Sequence, residues 1–135
     1  MERAIEYVAA INCIVIGLSH VVQPRAWAEF FVWLRAKGAA GSFVNGFLSL
    51  SFGSLIVGFH NVWVGIPAVL TVLGWAQVVK SVVAFVHPQA GLRSMARVTP
   101  ENARIFIVPG AVLLGIGGLL AYHLIASAGT AAAGS

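Results

Sequence analysis

Four apolar stretches, at residues 5–22, 42–60, 62–86 and 105–125, fill most of this 135-residue chain, and each is too long and too poor in charge for a soluble core. A helix rises about 1.5 Å per residue, so roughly 20 apolar residues cross a hydrocarbon layer of roughly 30 Å, and each stretch meets that requirement. With 59% hydrophobic and 9% charged residues, a body this small has no soluble arrangement that hides its apolar surface. The lipid bilayer is therefore the expected partner, and the expected fold is all-α with four transmembrane helices. The flank Met1-Glu2-Arg3 has no positive excess, and no small-residue cleavage pattern precedes Pro24, so the first stretch reads as a retained helix rather than a secretory signal.

Charge sets an orientation. Arg25, Arg35 and Lys37 lie in the connection after the first span, and Arg93, Arg97 and Arg104 in the one after the third. The His60-Asn61 turn and the tail 126–135 hold no Lys or Arg. Both long connections are thus expected in the cytoplasm, with both termini on the non-cytoplasmic side. Basic residues segregated by loop make no nucleic-acid face, so the net charge of +4 does not point to nucleic acid. Cys13 is the only cysteine, which rules out a disulfide or a thiolate metal cage within one chain and leaves a small buried apolar side chain. The Ala-, Gly-, Ser- and Thr-built tail 126–135 reads as a flexible end.

Sliding the chain against itself by 64 residues aligns Pro24 with Pro88, Ala26 with Ala90, Val44 with Val108, Gly46 with Gly110, Gly53 with Gly117 and Leu55 with Leu119, without a gap. The economical reading is two helical-hairpin repeats, 1–60 and 61–125, each a span, a Pro-initiated cytoplasmic interfacial helix and a returning span. A unit with two crossings repeats in the same orientation, so the copies are expected to be parallel, about a pseudo-two-fold axis along the membrane normal. In the first elbow Trp27, Phe30, Phe31 and Leu34 share one helical face and read as interfacial anchors. The second elbow has Leu92, Met95, Ala96 and Val98 with no aromatic anchor. Thr99-Pro100-Glu101 then supplies an N-cap, a proline for the first helical position and an acid near the positive helix end, so the fourth helix is expected to start there.

With Gly17-Leu18, Pro24-Arg25-Ala26-Trp27, then Thr99-Pro100-Glu101-Asn102-Ala103-Arg104, Gly110, Gly117 and Tyr122, the chain resembles the small bacterial inner-membrane proteins of the YjeT type, a two-span hairpin family of unassigned function. The first copy keeps the front half of that pattern and the second the back half. Trp27 faces Gly91 in the alignment, and Pro100 and Arg104 face Ala36 and Ala40, so neither copy is complete. The resemblance implies a tandem duplication and a bacterial inner membrane. It implies no reaction and no catalytic residues.

Polar side chains inside the spans carry the remaining functional signal, because a charge at mid-membrane costs about 2.5–3.5 kcal/mol on insertion scales. Lys80 lies eight residues before Pro88, close enough to snorkel to the interface or to face a cavity, a ligand or a partner's carboxylate. Asn12 and Gln77 are near mid-membrane and are read as hydrogen-bonding between spans one and three. Glu6, Ala10, Cys13, Gly17 and His20 recur at helical spacing, as do Gly46, Ser49, Gly53 and His60, which reads as two faces along which helices approach closely. Glu6 is expected near the outer interface. His20 with His87, and His60 with His123, offer imidazole pairs at the two membrane surfaces, yet no Cys/His motif supports a metal or haem, and no cofactor is expected.

No nucleophile with a base at helical spacing and no paired carboxylates occur, so enzyme chemistry is not expected. The leading expectation is an accessory or assembly subunit that packs against other membrane subunits, or against copies of itself. The alternative is a small oligomeric channel or transporter with a polar route past Asn12, Gln77 and Lys80 and the serines Ser49, Ser51 and Ser54.

Overall fold

The chain is all-helical in its computed structural model, which describes the backbone of residues 1–133 and side chains through residue 130. Helix α1 (Glu2–Val22) leads to the elbow helix α2 (Pro24–Ala36), α3 (Ala39–Phe59) returns, α4 (Ala68–Val86) enters the second elbow α5 (Pro88–Ala96), and α6 (Ile107–Ala133) follows a 3-10 segment, Pro100–Phe106. Among the described residues, four helices are long and apolar enough to cross a membrane, and only 22–28% of each apolar window is buried by the rest of the protein. The fold is therefore that of a multi-pass membrane protein whose spans present most of their surface outward.

Local chemistry explains where the helices stop. Gln23 and His87 each leave helical geometry immediately before a proline, and Pro24 and Pro88 then open α2 and α5 from the first position, where a missing N–H is harmless. The third span is shorter than its apolar run: residues 62–67 are not helical, because Gly65 takes a left-handed φ of 66° and Ile66 is restricted by Pro67, so α4 starts at Ala68. The fourth helix does begin at the Thr99 cap. Thr99 Oγ1 accepts from the Asn102 N–H (3.3 Å) and Asn102 Oδ1 accepts from the Thr99 N–H (2.8 Å), a reciprocal box built with Asn rather than with Glu101. It opens as a 3-10 turn, and Pro109 follows in the first turn of α6, where its lack of a donor is tolerated. At the other end α6 continues through Ala133, so most of the segment expected to be a loose tail is helical, as its alanines favour; residues 134 and 135 lie outside the described residues.

Close pairing runs between α1 and α6 and between α3 and α4, whereas α1 and α3 touch little. The first hairpin therefore opens, and each of its spans packs on a span of the second half. Small residues make these pairs possible. A methyl placed on Gly53 would lie 2.8 Å from the Gly74 carbonyl and 2.9 Å from the Val78 nitrogen, and one on Gly117 would lie 3.1 Å from the Ala10 carbonyl and 3.0 Å from the Ile14 nitrogen. Gly46 faces Ala84 and Phe85 just as Gly110 faces His20 and Val21. The positions in these two sets stand 64 residues apart in the sequence. Between the pairs, Ala9, Ala10, Ile56, Leu70 and Leu120 form one apolar core, flanked by Ile5, Phe52, Leu73 and Ile116.

At one end of the bundle the elbows close over the helices: α2 packs on the 3-10 segment, on α3 and on α5. Ala28, Val98, Ala103 and Phe106 form a second small core there, with Trp27 and Phe31 against it.

Candidate functional site

Three clusters of polar or aromatic side chains stand out from the apolar bundle. The first lies at the end opposite the elbows. Glu6 and His60 end the two small-residue faces read from the sequence, and those faces are buried as read: Ala10, Cys13, Gly17 and His20 on α1, Gly46, Ser49 and Gly53 on α3. Their burial brings His60 Nε2 to 3.0 Å from Glu6 Oε1, with Glu6 5% and His60 0% exposed. Thr71 of α4 completes the cluster. Its hydroxyl donates to the Val62 carbonyl at 2.6 Å, so its oxygen presents a lone pair to His60 Nδ1 at 3.5 Å. With Nδ1 carrying a proton, the Nε2 to Oε1 contact holds one further proton, and the pair is electrically neutral whichever partner owns it. Glu6 Oε2 is buried with no hydrogen-bond partner.

The second cluster holds the first elbow against the bundle. Trp27 stacks on His20 with ring centroids 4.0 Å apart and donates its indole N–H to Ser19 Oγ at 2.9 Å. His20 Nδ1 lies 2.8 Å from the Ile16 carbonyl, and Phe106 packs on both His20 and Phe31. Of the four expected anchors, Leu34 is buried and Trp27 and Phe31 are half-buried in protein contacts; they clamp the elbow to the bundle. Phe30 packs edge-on against Trp27 and stacks on Trp33, which is 54% exposed and lies 5.3 Å beneath the Lys37 ammonium. Trp33 and Lys37 thus make the outward-facing aromatic–cation pair of this elbow. Helical spacing placed Trp27 correctly on its face but carried no information about His20 beneath it. At the second elbow, Gly91 of α5 closely approaches Ser42 of α3 and Ala84 of α4, with Ser42 Oγ donating to the Ala84 carbonyl at 3.1 Å.

The third cluster surrounds Lys80. Its ammonium turns to Asn45 Oδ1 of α3, 3.4 Å away, beside a cleft of about 240 Å³ that Phe31, Ser94, Phe106 and Pro109 also line. Asn12 donates within its own helix, to the Val8 carbonyl at 2.8 Å, rather than across to the third span. The Gln77 stem packs on α3 at Gly53. Asn12 thus lies on the α1/α6 pair, and Gln77 and Lys80 on the α3/α4 pair. Of the serines, Ser49 is buried and Ser54 donates to the Ser51 carbonyl.

Cys13 is buried at 2% exposure. No group of three or more His, Cys, Asp or Glu side chains converges to hold a metal among the described residues. His20 and His60 are committed to the contacts above, and His87, at the start of α5, is exposed. Compared with protein-family models, with curated proteins and with solved structures, the chain matches none.

Proposed function

We propose that this chain is a non-enzymatic subunit or assembly factor of the bacterial inner membrane that packs its second and fourth spans against helices of a larger complex. The observation that carries this reading is a pair of open small-residue faces. On α6, Ala111, Gly115 and Gly118 follow one another along an exposed stripe, and a methyl on either glycine would meet nothing within 4 Å. On α3, Ser51, Ser54 and Gly58 follow one another along one side, with Ser51 half-buried, Ser54 exposed and Gly58 equally open.

Elsewhere in this protein glycines on the spans are used for close helix contact, as at Gly53 and Gly117. Lipid tails gain nothing from a smooth helix face, whereas a second helix gains close packing and backbone approach. The correspondence of Gly115 with Ser51 and of Gly118 with Ser54 at 64 residues, and that of the internal glycine contacts, support a duplicated two-span module, in line with the resemblance to proteins of the YjeT type. The Lys and Arg content of both elbows supports their cytoplasmic placement, with the termini outside.

Extraction of the native membrane in a mild detergent tests the reading. A particle larger than one chain, containing further membrane subunits and lost on Gly115→Leu with Gly118→Leu, is the expected result. A monomer from both forms overturns it, and a particle holding only copies of this chain restricts the partner to itself.

A further inference from the structure

We propose that the cleft at Lys80 binds the phosphate headgroup of an anionic phospholipid drawn from the leaflet on the elbow side. Lys80 sits within α4, and its ammonium is directed across the α3/α4 interface to the neutral amide of Asn45. An amide oxygen orients an ammonium but does not neutralise it.

The chain has four acidic side chains, and none lines the cleft. Glu29 lies 3.3 Å from Arg25 on the surface of α2, and Glu6 is held by His60 at the far end of the bundle. Glu2 begins α1 at that same far end, and Glu101 is exposed at the start of the 3-10 segment. The counter-charge for Lys80 must therefore come from outside the chain.

The cleft has the chemistry of an amphiphile site. Lys80 supplies the positive charge, the Asn45 amide nitrogen and the Ser94 hydroxyl can donate to phosphate oxygens, and Phe31, Phe106 and Pro109 form apolar walls for the glycerol and upper acyl segments. It lies beneath the two elbows, whose arginines, exposed at Arg93, Arg97 and Arg104, raise the local concentration of anionic lipid. The 64-residue counterparts of Lys80 and Asn45 are Ile16 on α1 and Pro109 on α6, so the α1/α6 pair cannot repeat the site, and one lipid per chain is implied.

Native mass spectrometry of the purified full-length protein in detergent, titrated with phosphatidylglycerol or with phosphatidylcholine of the same acyl chains, tests this. The expected result is one saturable phosphatidylglycerol per chain, with phosphatidylcholine at least about tenfold weaker. Lys80→Met should weaken phosphatidylglycerol at least about tenfold and leave phosphatidylcholine unchanged, and Asn45→Leu should act in the same direction. Arg93→Gln with Arg97→Gln, which touches only the diffuse field, should weaken it no more than about threefold. Unchanged helicity and elution of the Lys80→Met protein would show that the loss is one of binding. Equal affinity for the two lipids, phosphatidylglycerol binding that survives Lys80→Met, or displacement of the lipid by glycerol phosphate at equal concentration would each overturn the proposal, the last by making the site one for soluble phosphate.

Discussion

His60 Nε2, immediately after α3, lies 3.0 Å from Glu6 Oε1 of α1, a buried contact that joins the two spans of the open first hairpin. Breaking a buried pair by removing one partner leaves an uncompensated polar group, while removing both can be nearly neutral. His60→Leu alone, or Glu6→Leu alone, should therefore destabilise the protein by about 3 kcal/mol, whereas Glu6→Leu with His60→Leu should stay within about 1 kcal/mol of the parent. Thermal unfolding in detergent, followed by circular dichroism, measures all three. A double variant as unstable as the two singles combined would contradict the pairing.

Glycines of this chain fall into two classes that respond differently to one added methyl. Gly53→Ala drives a carbon to within 3 Å of the backbone of α4 and should destabilise by about 1–3 kcal/mol through overpacking. Gly115→Ala meets open space and should leave the isolated chain as stable or slightly more so, since alanine favours the helix. The difference between the two unfolding midpoints is the readout.

The tryptophans of the first elbow separate in the same way. Trp27→Ala removes a ring stacked on His20 and a hydrogen bond to Ser19, and a loss of about 3 kcal/mol is expected from its partial burial. Trp33→Ala removes an exposed ring and should change stability by less than about 0.5 kcal/mol, while weakening the attachment of α2 to lipid. Unfolding midpoints together with the depth-dependent quenching of the remaining tryptophans by brominated lipid distinguish the two effects.

Sidedness is testable with the single native cysteine as an internal control. Cys13 is buried between helices, so it should stay unreactive to a maleimide until the protein unfolds. In inside-out vesicles, Lys37→Cys and Ser94→Cys should both react with an impermeant maleimide, and Asn61→Cys should react only from the other face. Opposite behaviour of the two elbow positions would overturn the arrangement of crossings.

The number of spans, the elbows opened by Pro24 and Pro88, the Thr99 cap and the inward faces through Gly17 and Gly53 are legible in the sequence, because each depends on residues within one or two helical turns or on a regular apolar period. Where reading the sequence fell short, the deciding influence was still local but finer than a hydropathy run. Gly65 and Pro67 cut six residues from the start of the third span, and an alanine-rich end carried α6 beyond its apolar segment.

What only the tertiary structure decided is which helix meets which. Spacing named Glu6, His60 and Trp27 as members of particular faces, but it gave no reason to join Glu6 to a histidine 54 residues away or to lay Trp27 on His20. In lipid every apolar face is equally well solvated, so hydrophobicity selects the membrane and is nearly silent about partners. Pairing α1 with α6 rests instead on the fit of Gly17 and Gly117 to the backbone opposite, a relation between distant residues that no local pattern encodes.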